Sequence, residues 1–184
     1  MSLLLWICSA LALENGQKAP DFTLKSIDGQ EYSLSNFVGK VVVLEWFNPG
    51  CPFVRYAHQN QVMHNIAQKN PDVVWLAINS SGPKKQGHGL KANKKARDKW
   101  SISYPILLDE TSEVGRIYSA KTTPHMYVID QSGVLVYQGA IDNAPFGRGK
   151  NHITYVADAL ENLKKGAEIS PAQTKAYGCS VKYP

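Results

Sequence analysis

The sequence predicts an α/β chain: a central mixed sheet with helices on both faces and a β-hairpin at the N-terminal side. Two runs carry this reading, Val41-Val42-Val43-Leu44-Glu45-Trp46-Phe47 and Val73-Val74-Trp75-Leu76-Ala77-Ile78. Both are rich in β-branched and aromatic residues and apolar almost throughout, the composition of strands covered on both faces. A stretch with helical spacing lies between them, and a hairpin pattern followed by a helical one comes later. At 184 residues the chain fits one hydrophobic core, with no internal repeat, low-complexity tract or interdomain linker.

Taken in order, Leu3 to Leu13 is an apolar run broken only by Ser9, with Ala10 and Ala12 as the small residues of a signal-peptidase site. Residues 1–13 therefore read as a signal peptide or leader remnant ahead of a domain at 14–184, which implies a periplasmic or secreted protein. No Lys or Arg precedes the run, so a buried N-terminal helix of a cytoplasmic protein is the other reading. The run is too short to span a bilayer, so no stable membrane insertion is expected.

Phe22 to Lys25, the Asp28-Gly29 turn and Glu31 to Leu34 read as a short hairpin. After the first buried strand, Asn48-Pro49-Gly50 breaks the chain, and a helix is predicted from Cys51 to Lys69 with Val54, Ala57, Gln61, Val62 and Ile66 as its stripe. The second strand leads to a Gly-, Ser-, Pro- and Lys-rich loop, Ser80 to Gly89, and a polar helix from Leu90 to Trp100. A short helix is predicted over Glu113 to Ser119. His125 to Ile129 and Val134 to Gln138 flank Asp130-Gln131-Ser132-Gly133, a hairpin signal. A last helix runs from Ile153 to Lys165 and stops at Gly166, and a tail containing Pro171 ends the chain.

Twenty Lys+Arg against fifteen Asp+Glu give a net charge of +5, with much of the excess at Lys84, Lys85, Lys91, Lys94, Lys95, Arg97 and Lys99. No nucleic-acid motif accompanies these residues, so they read as a solvated loop and helix face and no nucleic acid is expected as partner. The five histidines show no metal-ligand spacing, and neither metal nor organic cofactor is expected.

The cysteines are Cys8, Cys51 and Cys179. Cys51 follows a central strand and opens a helix, where backbone N–H groups and the helix dipole lower a thiol pKa from its free value of about 8.5. Pro52 suits the first helical turn. The combination points to a reactive thiol, against the alternative of an inert buried cysteine. His125, Arg55 and Arg116 are candidate cationic neighbours, with ordinary strand-edge, solvated or ion-paired roles left open.

Trp46-Phe47-Asn48-Pro49-Gly50-Cys51-Pro52-Phe53-Val54 resembles the active-site loop of thioredoxin-fold proteins. Gly16-Gln17-Lys18-Ala19-Pro20-Asp21-Phe22 is similar to the opening of redoxins of the alkyl hydroperoxide reductase/thiol-specific antioxidant superfamily. Thr122-Thr123-Pro124 resembles the loop whose cis proline lies against the reactive cysteine. Gly178-Cys179-Ser180-Val181-Lys182 is similar to the tail of a peroxiredoxin-like subgroup. The resemblance implies a thioredoxin-like fold and a thiol-dependent oxidoreductase or antioxidant whose partner is a thiol/disulfide protein or a small peroxide.

On that resemblance Cys51 is the attacking sulfur, Glu45 a buried acid that moves protons, and Thr123 and Pro124 a docking site for an extended thiol partner. Cys179 is a resolving partner, a static clip or a free thiol. The pattern also departs from its relatives. Val54 stands where thioredoxins keep a second cysteine, which excludes a dithiol cycle within the loop. Asn48 and Leu44 stand where peroxiredoxins keep a hydroxyl residue and a proline, so any peroxide contact falls to the Asn48 amide. A rival class is a non-catalytic thioredoxin-fold binding module such as a periplasmic copper or haem-assembly chaperone, which the single cysteine of the loop disfavours.

Overall fold

A computed structural model describes residues 13–149 and 151–184. Cys8 and nearly all of the expected leader lie outside the described residues. The strands are β1 (Thr23–Ser26), β2 (Glu31–Ser33), β3 (Val42–Trp46), β4 (Val74–Asn79), β5 (Ile106–Leu108), β6 (Thr122–Thr123), β7 (Met126–Ile129), β8 (Leu135–Gly139) and β9 (Cys179–Ser180). The helices are α1 (Pro52–Gln59), α2 (Val62–Gln68), α3 (Leu90–Trp100), α4 (Glu113–Ile117) and α5 (Tyr155–Lys165).

Seven strands form one mixed sheet in the order β2-β1-β5-β4-β3-β7-β8, while β6 and β9 pair separately. β3 is central, parallel to β4 and antiparallel to β7, and every one of its residues is buried. Strand alternation divides them between two cores. Val42, Leu44 and Trp46 join Leu76, Ile78 and Tyr127 under Val114 and Tyr118 of the α4 segment. Val43 packs with Ala57, Met63 and Ile66 of α1 and α2 and with Val156, Ala159 and Leu160 of α5. A third cluster joins Phe47, Cys51 and Val54 to Ala77, Ala96 and Ile106. Double-sided cover explains why β3 and β4 read as continuous apolar runs.

The single helix expected from Cys51 to Lys69 is two. Gln61 takes a left-handed conformation at φ 60°, and the Asn60 side-chain amide donates to the Tyr56 carbonyl at 2.9 Å, so α1 ends and α2 starts on a new axis. Three strands were not visible in the sequence pattern, among them β6, whose Thr122 and Thr123 read as a loop. β5 is three residues long and exists by pairing with β4 and β1, and β9 is two residues of the tail.

Candidate active site

The chain leaves the sheet with Phe47 N–H donating to the Ile78 carbonyl, then turns as Cys51 N–H donates to the Asn48 carbonyl at 3.0 Å. Cys51 sits at the N-cap of α1 with Pro52 exposed at the first helical position, and Arg55 N–H donates to the Cys51 carbonyl. The Cys51 side chain makes no capping bond to the helix. The sulfur turns the other way, donating to the Thr123 carbonyl oxygen at 2.9 Å and lying 2.8 Å from the sulfur of Cys179. The Cys51 sulfur thus faces the Thr123 carbonyl and Cys179 rather than the first turn of α1. Both cysteines are free thiols.

Cys179 arrives from the far end of the chain. It pairs with Thr123, and Ser180 with Thr122, in the antiparallel β6–β9 ribbon. The Thr123–Pro124 bond is cis. Gly178 makes the close approach possible: a β-carbon there would lie 2.1 Å from the Thr123 carbonyl oxygen, and its φ of +144° suits glycine. The tail is fastened on both sides of Cys179. Before it, Thr174 N–H donates to the Gln138 carbonyl, and Tyr177 Oη donates to Asp142 at 2.6 Å with its ring beside Phe53. Beyond it, Val181 N–H donates to the Lys121 carbonyl and Tyr183 Oη to the Ala120 carbonyl, with Arg116 4.9 Å above the Tyr183 ring.

With the tail in place Cys51 has 0% exposure, whereas Cys179 is half-buried. Desolvation, followed by the hydrogen bond and like charge of the neighbouring sulfur, pushes the Cys179 thiol up to about 12, so this sulfur keeps its proton. Cys51 lines none of the described cavities. The most voluminous of them, about 780 Å³ beside Gly39, Val41 and Pro71, lies at the opposite end of β3.

The other predicted site residues divide. Thr123 and Pro124 are both buried, and Thr123 meets Cys51 through its carbonyl and Cys179 through strand pairing. Asn48 is turned into the fold instead: its amide nitrogen donates to Ser81 Oγ and the Gln86 carbonyl, and its oxygen accepts from Gly50 N–H at 2.7 Å. Gly87, at φ +79°, lets the 82–89 loop close on that side chain, since a β-carbon there would lie 2.1 Å from Asn48 Oδ1. Both side-chain polar atoms of Asn48 are thus engaged, the nitrogen with Ser81 and the 82–89 loop and the oxygen with its own turn.

Glu45 is fully buried on the α1 side of β3. Its carboxylate accepts from Tyr104 Oη at 2.9 Å and meets His58 Nε2 at 3.0 Å. Among the described hydrogen bonds it touches neither sulfur. The His58 ring stacks on Trp100 and meets Phe47 edge-on, so the pair ties α1 to the sheet just behind the cysteine loop. Burial and then the Glu45 charge push the Tyr104 phenol well above its ordinary range. His58 and Tyr104 were missed in the sequence. One signal was available, a histidine four residues after Val54 on the buried stripe of α1.

His125 is also not the cation considered above. Burial, then Lys121, lowers its pKa to about 4, and the neutral ring pairs through Nδ1 with Tyr127 Oη at 3.1 Å. Among the described residues no cluster of His, Cys, Asp and Glu could hold a metal ion, and no helix is long and apolar enough to cross a membrane.

Comparison with known proteins agrees with this frame. Residues 15–138 match the AhpC/TSA family, a segment that ends before the tail. The chain is 31% identical over 123 residues to thiol-disulfide oxidoreductase ResA of Geobacillus thermodenitrificans, covering 66% of this chain and 67% of that one. It is 24% identical over 183 residues to the chloroplastic 2-Cys peroxiredoxin BAS1 of Hordeum vulgare, covering 91% and 84%. An uncharacterized conserved protein from Geobacillus kaustophilus superposes with a TM-score of 0.84 at 28% identity, over 94% of this chain and 93% of that one. The architecture is thioredoxin-like, and the chain belongs to the AhpC/TSA family.

Proposed function

We propose that this chain is a thiol-disulfide oxidoreductase on a peroxiredoxin-like frame, with Cys51 as the attacking sulfur and Cys179 as its resolving partner. The observation that carries the reading is the 2.8 Å separation of two sulfurs that stand 128 residues apart in sequence. The Cys51 thiolate attacks one sulfur of a partner disulfide, and the other partner sulfur leaves with the bonding pair and takes a proton. Cys179, giving up its proton, then attacks Cys51. The partner's second thiol leaves, and the chain keeps an intramolecular disulfide while two electrons pass to the partner.

A peroxide would follow the same order, forming a sulfenic acid at Cys51 that Cys179 closes with loss of water. The disulfide is the better substrate here, because Asn48 is spent on Ser81, Gln86 and Gly50 and the group facing the Cys51 sulfur is a carbonyl. Thr123 and Pro124 hold the sulfur pair, and Glu45 positions α1 through His58. The chemistry needs no cofactor. An exported protein fits a pair of this kind, since disulfides persist in oxidising compartments; the N-terminal mass of protein recovered from cells tests that placement.

The functional test compares a mixed-disulfide peptide with hydrogen peroxide on three proteins. The native chain should turn over the peptide faster, Cys51→Ser should lose both activities, and Cys179→Ser should accumulate the partner on Cys51. Turnover retained by Cys51→Ser overturns the assignment.

A further inference from the structure

Five stretches of chain meet at the sulfur pair. The turn into α1 carries Cys51 and the tail carries Cys179. The 80–89 loop rests on the cysteine turn through Gln86, whose carbonyl accepts from Asn48 and whose side chain stands against Gly50. Residues 119–125 include β6, and the 143–149 turn sets Phe146 on Phe53 with ring centroids 4.3 Å apart. Residues 46–60, 80–89, 119–125, 143–149 and 172–184 contain no Asp or Glu. They do contain Arg55, Lys84, Lys85, Lys121, Arg148 and Lys175, all exposed, and none of these enters an ion pair among the described residues. The acids hydrogen-bonded to these stretches, Glu45, Asp109 and Asp142, are buried and held internally by His58, Ser80 and Tyr177. The solvent side of the site thus carries one sign of charge, an arrangement that concentrates counter-charged partners. A second observation lies beside it. Phe146 takes a left-handed conformation at φ 57°, which costs about 1–3 kcal/mol for a residue with a side chain. The turn keeps its half-buried ring against Phe53 and Tyr56, two and five residues past Cys51.

We infer that the disulfide partner of this protein is acidic, its reacting cysteine flanked by Asp and Glu and by an apolar residue; the inference rests on the redox pair proposed above. The basic residues of the five stretches steer and orient the acidic flanks. The Phe53, Tyr56 and Phe146 rings receive the apolar residue beside the incoming sulfur. Phe146 lies between the two parts of this surface, next in the chain but one to Arg148 and in contact with α1. Lys84 and Lys85, a solvated loop by sequence alone, become part of the docking face because their loop closes on the cysteine turn. Charge contacts of this exposed kind act mainly on the rate of encounter and on the choice of partner, and salt weakens them.

The test uses the full native chain in its reduced form and two peptides of equal length, each a mixed disulfide with thionitrobenzoate. One peptide has Asp and Glu on both sides of its cysteine, the other Lys. The chain's two thiols are oxidised to one disulfide while the peptide and thionitrobenzoate leave as thiols, and release of thionitrobenzoate gives the rate. In about 10 mM salt the acidic peptide should react at least about tenfold faster than the basic one. In about 1 M salt, with a screening length of about 3 Å, the two rates should come within about twofold. Arg148→Glu combined with Lys175→Glu should lower the acidic-to-basic ratio at least about threefold in low salt, whereas a folding defect slows both peptides alike. Equal rates, a faster basic peptide, a preference that survives high salt or a ratio unmoved by the double variant overturns the inference. Protection of the site by single-stranded RNA at lower concentration than by a cysteine-free acidic peptide, in about 150 mM salt, assigns the basic face to nucleic acid and also overturns it. Release of thionitrobenzoate from neither peptide would show instead that the underlying redox reading is wrong.

Discussion

Replacing Gly178 by alanine tests whether the tail is what closes the site. A β-carbon at 178 would stand 2.1 Å from the carbonyl oxygen and 2.7 Å from the carbonyl carbon of Thr123. Both are backbone atoms of β6 and cannot swing aside, and ordinary C···O contacts are about 3.3 Å or longer, so the ribbon must part by roughly 1 Å. The φ of +144° adds strain for any residue with a side chain, and such strained positions cost about 1–3 kcal/mol. β9 itself contributes only two paired residues, and the fastenings at Tyr177, Val181 and Tyr183 flank the clash without relieving it, so the strain falls on the ribbon. A penalty of that size raises the lifted fraction of the tail by about 5- to 150-fold. Cys51 has no exposed surface in the closed form, so its alkylation runs through these openings and tracks their population. The assay is iodoacetamide labelling of the reduced protein, followed by peptide mass. Cys51 should label roughly tenfold to a hundredfold faster in Gly178→Ala, with the Cys179 rate changing far less. An unchanged Cys51 rate in a variant of native melting temperature would refute the reasoning.

Glu45→Ala leaves His58 and Tyr104 without their acceptor in the core, and each buried group so unsatisfied costs about 1–3 kcal/mol. Urea unfolding should register that loss, and a change within 1 kcal/mol, the upper end for an exposed pair, would count against the clamp. Asn48→Ala removes three hydrogen bonds at about 1 kcal/mol each, two of them to Ser81 and Gln86, so hydrogen exchange should speed up across residues 81–89 while α5 stays protected. His125, with its pKa lowered to about 4, binds its proton less readily folded than unfolded. Its contribution is therefore complete above the unfolded value of about 6.5 and is lost as pH falls toward 4, amounting to about 3 kcal/mol. Melts from pH 7 to 4 should show this slope, and His125→Asn should flatten it.

What the sequence disclosed was whatever short-range pattern decides. Val41 to Phe47 announces β3 because both faces of that strand are covered, and α3 begins and ends where the change from glycine-rich loop to polar helix places it. Cys51 was legible because strand end, Gly50 and Pro52 surround it. What stayed hidden depends on residues far apart. β5 is too short to have a periodicity and is defined by its neighbours. The partners of Glu45 stand 13 and 59 positions away. Covering of Cys51 could not be read from its own loop at all, because the covering group is the tail. Asn48 illustrates the same limit: its type suggested a contact with substrate, and the loop 33 to 38 residues downstream uses its amide instead.

The replacement of a loop cysteine by a distant one has an energetic consequence. Val54, buried with 0% exposure on α1, occupies the position where a local partner for Cys51 would stand, and such a partner would close a ring of only four residues. Cys179 closes one across 128 positions. In the chain-entropy treatment a ring of that length removes about 5 kcal/mol of freedom from the unfolded chain. The oxidised protein should therefore melt about 10–20 °C above the reduced one, at about 2–4 °C per kcal/mol for a domain of this size. Linkage requires the same free energy to oppose reduction of the folded disulfide relative to the unfolded one. A reductant must therefore be strongly reducing, and an oxidant has correspondingly less work to do. Calorimetry on the diamide-oxidised and fully reduced native chain checks the premise. Coincident melts would mean that the tail stays ordered against the domain in the unfolded ensemble, or that the ring never closes.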